Sequence, residues 1–181
     1  MAFQAQPKEF EEKVISIDRV ARVVKGGRRF RFRATVVIGD GKGRVGLGIG
    51  KGGEVMTSIA KAVARARRNM ITIPLKNGTI PHEVNVRFSG AQIMMKPASA
   101  GTGVIAGGAV RSVVEAAGIH DLLTKSFGST NKVNNAYAAI MALSQLEAVS
   151  DSPLARHTRA KHAATKKPAA KKAEKAEKAT T

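Results

Sequence analysis

Cysteine is missing from all 181 residues, which excludes a disulfide framework and any thiolate metal site and suits a reducing compartment, the cytoplasm being the expected address. Tryptophan is missing too, and aromatic residues make up only 4% of the chain. With Phe30 and Phe32 expected in the core, no stacking platform for splayed single-stranded bases is evident. No run of roughly 18 apolar residues is present, and residues 1–13 hold no apolar segment of signal-peptide length, so no membrane partner is expected. Acids are scarce: 13 Asp and Glu stand against 31 Lys and Arg, a formal charge of +18. Such an excess repels itself unless a polyanion supplies the counter-charge, and a nucleic acid is the first partner to consider.

The excess is segregated. Arg19 to Arg68 holds 14 basic residues against two acids, a net +12, and the stretch from Ser150 onward holds nine against three, a net +6. Those two segments carry the whole charge. A merely soluble protein would scatter it, so the pattern points to an electrostatic footprint on one domain and a looser one at the end.

Periodicity predicts an α+β chain of two small domains. Residues 14–24 and 28–38 are β-branched alternating runs around a Lys25-Gly26-Gly27-Arg28 turn, a hairpin signature. Alternation puts Phe30, Phe32, Ala34, Val36 and Ile38 on a core face and Arg29, Arg31, Arg33 and Thr35 on a cationic one. In a third strand Val45, Leu47 and Ile49 are expected to face inward and Gly46, Gly48 and Gly50 outward, a bare surface that a sugar-phosphate backbone approaches closely. A helix opening at Glu54 carries Met56, Ile59, Val63 and Met70 on one stripe and Lys61, Arg65 and Arg68 on another, so the first domain reads β-β-β-α. After a connector with Asn77-Gly78 and Pro81 comes a hairpin turning at Ser89-Gly90. A glycine-rich stretch then leads to a helix stopped by Gly118, a strand before Gly128, and a last helix capped by Thr130. That helix bears an apolar stripe of Val133, Tyr137, Ile140, Met141, Ser144 and Leu146, completing β-β-α-β-α. The divisions are an arm over 1–12, an RNA-binding domain over 13–76, a second domain over 77–150, and a Lys/Ala-rich tail over 151–181 expected to be disordered in isolation. Arg19, Arg22, Lys25, Arg28, Arg29, Arg31, Arg33, Lys42, Arg44, Lys51, Lys61, Arg65 and Arg68 are the candidate phosphate partners.

Catalysis finds little support. Gly41-x-Gly43-x-x-Gly46 sits in a hairpin and enters a strand, whereas a dinucleotide fingerprint opens a helix. Gly101-x-Gly103-x-x-Ala106, with Asp121 twenty positions after Gly101, precedes a helix but lacks a second βαβ half. Lys51 lacks the companions of a Walker A loop. His82, His120, His157 and His162 are scattered without metal-ligand or acid-base spacing. No cofactor, metal or catalytic residue is assigned.

The strings VKGGRRFRF, VIGDGKGRVGLGIGKGGEV, ARARRNM, KPASAGTGVIAGGAVRSVVEAAG and LLTKSFGSTN, in unbroken order over about residues 10–150, closely resemble the bacterial family of the fifth small-subunit ribosomal protein. The resemblance implies an amino-terminal domain similar to a double-stranded-RNA-binding fold and a second domain with a left-handed β-α-β unit, against the usual handedness. It implies binding to small-subunit ribosomal RNA, contacts with the fourth and eighth small-subunit proteins, a part in holding head relative to body, and a place near the messenger-RNA entrance. The turn at Val24, Lys25, Gly26, Gly27 and Arg28 matches the family loop associated with spectinomycin resistance. Gly103, Gly107, Gly108 and Arg111 match the part near the fourth protein, where contact affects decoding accuracy. Two rival readings stay open: a nucleic-acid-compacting protein driven by the tail, and a nucleotide enzyme.

Overall fold

A computed structural model describes residues 10–147, so the tail over 151–181, including His157 and His162, and positions 1–9 of the arm lie outside the described residues. β1 (Glu11–Val24) and β2 (Gly27–Gly39) pair antiparallel around the turn Lys25-Gly26, where Gly26 sits at φ 94°. That left-handed geometry burdens any residue with a side chain. β3 (Arg44–Gly52) joins β2, α1 (Val55–Arg68) crosses the sheet, and β4 (Met70–Thr72) pairs with β3 at the far edge. The expected β-β-β-α therefore gains a fourth strand. Met70, expected on the helix, belongs to it, and the helix stops at Arg68 with the Asn69 amide bonded back to Arg65 and Ala66.

Two expectations about the faces are corrected. Gly46, Gly48 and Gly50 do not face outward: a Cβ on any of them would land well inside 3.0 Å of the α1 backbone at Ala66, Ala62 and Ser58 respectively. Those three helical residues, spaced four apart, are the buried ones on α1, so small residues on both sides bring helix and strand into backbone contact. Met56, expected on the packed stripe, is 74% exposed, while Ile59 and Val63 flank a compact cluster of Ala34, Val36, Ile38, Ala62 and Ala66. The opposite sheet face is not cationic along its length either. Val37, Val45 and Leu47 enter a second, larger core shared with the other domain, and Thr35 is buried with them. The sheet is thus covered on both faces at its base, and only the distal half of the β1–β2 hairpin projects.

The second domain builds a sheet of order β5-β6-β8-β7 from β5 (Val84–Phe88), β6 (Ala91–Pro97), β7 (Val104–Ile105) and β8 (Leu122–Gly128). α2 (Gly108–Ala116) links β7 to β8, which run parallel, and α3 (Lys132–Ser144) follows. The two-residue β7 falls in the glycine-rich stretch, too short for any periodicity. On α3 the buried residues are Ala136, Ala138, Ala139, Ala142 and Leu143, whereas Tyr137, Met141 and Ser144 of the expected stripe are exposed. Small side chains again permit close approach. Tyr137 instead stacks on Phe88 with centroids 5.4 Å apart. The helix is capped by Asn131, whose carboxamide oxygen accepts from the Val133 amide at 3.0 Å, and not by Thr130.

The domains meet backbone to backbone. At the end of α2 the Gly118 amide donates to Glu115 and the Ile119 amide to Val114, a Schellman motif with Gly118 at φ 82°. That leaves the carbonyls of Ala116 and Ala117, which accept from Gly41 (3.2 Å) and Gly43 (2.9 Å) of the β2–β3 turn. The Gly41 to Gly46 pattern that invites a dinucleotide reading is a docking loop for this helix end and a bed for α1.

Candidate nucleic-acid interface

The two-residue turn sets the hairpin register, and the register decides which charges meet. Val20 opposes Arg31, Arg22 opposes Arg29, and Asp18 opposes Arg33. On that face Arg22, Arg29 and Arg31 are exposed with no acid in ion-pair reach among the described residues. Arg33 differs: its Nη2 and Nε donate to one Asp18 carboxylate oxygen at 2.8 and 3.2 Å. Lys25, Gly26, Gly27 and Arg28 lie exposed at the tip. Three cations crowded on two paired strands repel one another in water, and this repulsion is relieved when phosphates intervene.

Arg19 belongs to the other face. It sits opposite Phe32, and its guanidinium lies 3.8 Å above the Phe30 ring. Phe30 is 48% exposed, so its expected place in the core is corrected: α1 covers the sheet only as far as Phe32 and Gly52, and the apolar alternation runs on past the end of the core.

Lys51 ends β3 opposite Arg33. With Lys61, Ala64, Arg65 and Arg68 of α1 it lines an open hollow of about 400 Å³ with no acidic lining residue. Arg65 is held there by donating to the Ile49 carbonyl at 2.7 Å. The helical basic stripe and the strand lysine therefore converge. Lys42 and Arg44 do not join them. They sit at the β2–β3 turn, at the start of the nine-residue β3 that carries Lys51 at its other end. Arg44 is engaged by Asp40, whose Oδ2 accepts from its Nε at 2.7 Å while Oδ1 accepts from the Lys42 and Arg44 amides. Burial by itself raises the Asp40 carboxyl. The hydrogen bonds from the Arg44 side chain and the two amides, with the Arg44 charge, outweigh it and lower the pKa from 3.8 to about 2. Asp18 and Asp40, the two acids that neutralise site cations, went unassigned from sequence. Cross-strand counting from the turn finds the first, and an Asp followed by Gly-Lys-Gly-Arg, able to bond amides two and four residues on, marks the second.

In the second domain Gly103, Gly107, Gly108 and Arg111 gather around β7 and the start of α2. Gly107 is the N-cap, Arg111 donates to the Val104 carbonyl at 3.2 Å, and the Gly103 amide donates to Asp121 at 2.9 Å. Asp121 is itself buried, so the carboxylate that a ribose would need is already spent on holding the loop. Among the described residues no His, Cys, Asp and Glu cluster suits a metal ion, and no helix is long and apolar enough to cross a membrane.

Comparison with known proteins agrees in extent and order. A family profile described as ribosomal protein S5, N-terminal domain, matches residues 10–74, and one described as ribosomal protein S5, C-terminal domain, matches residues 86–157. The chain is similar to the small ribosomal subunit protein uS5 of Thermus thermophilus, 56% identical over 143 residues that cover 79% of this chain and 88% of that protein. It is similar also to uS5 of Idiomarina loihiensis, 54% identical over 144 residues (80% and 87%), and of Treponema pallidum, 54% identical over 139 residues (77% and 81%).

Proposed function

The chain belongs to the ribosomal protein S5 family, and from that membership we propose that it holds small-subunit ribosomal RNA on the projecting hairpin and the α1 hollow. It is a structural constituent of the small ribosomal subunit, takes part in translation in the cytoplasm, and is not an enzyme. The observation that carries the RNA reading is the unneutralised face of Arg22, Arg29 and Arg31. Lys25 at the tip extends it, with Gly26 and Gly27 leaving the backbone open to a phosphate, and Arg28 stands beside the tip on the other face. Lys51, Lys61, Arg65 and Arg68 form a second group. Arg19, Arg33, Lys42 and Arg44 are supporting contacts, since the first stacks on Phe30, two are ion-paired, and Lys42 and Arg44 lie at the far turn. Gly46 and Gly48 drop out, because α1 covers them.

The finer family roles are part of the same reading. The second domain meets the fourth small-subunit protein through Gly103, Gly107, Gly108 and Arg111 and so bears on accuracy. The chain also touches the eighth protein, steadies head against body, and lies near messenger RNA at the entry site. A rigid link between the RNA-holding hairpin and the protein-facing end of the second domain supports these roles, because strain at one partner is then felt at the other.

Binding of the chain to small-subunit ribosomal RNA and to a DNA duplex of equal length, across a salt series, tests the proposal. If about six phosphates are engaged, the log-log slope is near −5 by the duplex coefficient and shallower for irregular RNA. Preference for the RNA that survives higher salt is expected. Equal, fully salt-labile binding to both, lost on truncation after Asp151, would instead make the tail a nonspecific polycation.

A further inference from the structure

Opposite the cationic face, the hairpin carries a face of different chemistry. Register and alternation place Ile17, Arg19, Ala21 and Val23 of β1 beside Arg28, Phe30 and Phe32 of β2. α1 covers the base of this face and nothing covers its distal part among the described residues: Phe30 is 48% and Val23 74% exposed, and Ile17, on the outer strand opposite Ala34, is 46% exposed. Three large apolar side chains left in water on a strand pair that also bears Arg19 and Arg28 are not explained by folding. Where α1 covers the same face, Ala34, Val36 and Ile38 are fully buried.

We propose that this face is a stacking platform for an unpaired nucleobase of the bound RNA, with Phe30 as the base's partner and Arg19 and Arg28 holding the adjoining phosphates. Charge selects the occupant. On its exposed distal part every charged residue is a cation, so a planar apolar group bearing anions on either side fits it, and a nucleotide is that group. The Arg19 guanidinium, 3.8 Å above the ring, already occupies one side of Phe30 and fixes its orientation, while about half of the residue's surface stays open. A base on the open side extends an arginine, phenylalanine, base stack. The inference rests on the RNA-binding reading and deepens it: phosphates on the cationic face give affinity without sequence, and a base on this face requires the RNA to be unpaired there.

Stacking and phosphate neutralisation respond differently to salt, which separates them. Full-length protein is titrated with deproteinised small-subunit ribosomal RNA across a salt series as Phe30→Ala, Phe30→Leu, Phe30→Trp and Arg31→Ala. Phe30→Ala is expected to weaken binding roughly tenfold at every salt concentration without changing the slope. Phe30→Trp should retain affinity, and Phe30→Leu, apolar but without a π face, should fall with the alanine variant. Arg31→Ala should flatten the slope by about 0.7–0.9. Wild-type binding by Phe30→Ala, or by Phe30→Leu, would overturn the stacking proposal while a flattened slope in Arg31→Ala leaves the phosphate reading standing. If Arg31→Ala too changes nothing, the RNA-binding reading falls and this one with it. The tryptophan and leucine variants keep the comparison valid should Phe30→Ala lower the folded population.

Discussion

Asp40 concentrates three functions in one carboxylate. It closes the β2–β3 turn through the Lys42 and Arg44 amides, fixes the Arg44 side chain, and thereby shapes the loop whose Gly41 and Gly43 amides dock α2. Its side chain is only 8% exposed, so an uncompensated charge there would be costly. Folding lowers the carboxyl from 3.8 to about 2, and the group therefore binds fewer protons folded than unfolded near pH 3. Its contribution is fully present above pH 3.8 and is lost as pH falls through about 2. Allowing for the solvent around half-exposed Arg44, that contribution is about 1–2 kcal/mol. Asp40→Asn should remove that much stability at pH 7 and flatten the stability curve between pH 4 and 2, as urea unfolding at each pH measures. An unchanged acid limb would mean that other carboxylates govern it.

At the scale of elements, helix α1 and strand β3 illustrate what a sequence conceals. The hairpin, the three-strand order and the basic helical stripe were legible because side chains with a clear preference recur at period two or 3.6. The direction of the Gly46, Gly48 and Gly50 row was not, since a residue without a side chain has no preference to display, and a bare face and a helix-covered face read alike. Phe30 misled for the converse reason: the alternation continues for several residues beyond the part of β2 that α1 covers. β4 and β7, of three and two residues, are below the length at which any period is visible. The glycine row yields a sharp expectation. Gly48→Ala places a methyl group against the Ala62 carbonyl, backbone that cannot yield as a flexible side chain would. The substitution should cost at least about 2 kcal/mol in thermal or denaturant unfolding, although alanine normally favours a strand or helix over glycine. Gly53→Ala, where nothing lies within 4 Å, is the matched control and should be near neutral. Equal effects at the two positions would refute the account of the α1 contact.

For the molecule as a whole, the segregation of charge into the first domain matters only if that domain is held in a fixed relation to the second. Three features hold it: the shared core that takes Val37, Val45 and Leu47 from the first sheet, the Lys13 to Glu115 ion pair, and the bonds from Gly41 and Gly43 to the end of α2. The ion pair is exposed and worth little. Burial of each core side chain is worth about 1.5–3 kcal/mol, so the core supplies the energy and the backbone bonds supply the register. Gly118 is the residue on which that register turns. Its φ of 82° closes the Schellman motif, and a Cβ there would meet the Gly41 carbonyl well inside 3.0 Å. Gly118→Ala should therefore do two things that an ordinary destabilising change does not. It should cost about 2–3 kcal/mol, from the left-handed backbone and the clash together, and it should uncouple the domains, so that calorimetric unfolding broadens or splits where the native chain is expected to give one transition. Gly101, equally left-handed at φ 90° but with open space around it, bears the conformational cost without the clash. If Gly101→Ala and Gly118→Ala lower the transition alike and both leave it single, the glycine contact is merely a turn, and the shared core alone joins the RNA-holding and protein-facing ends.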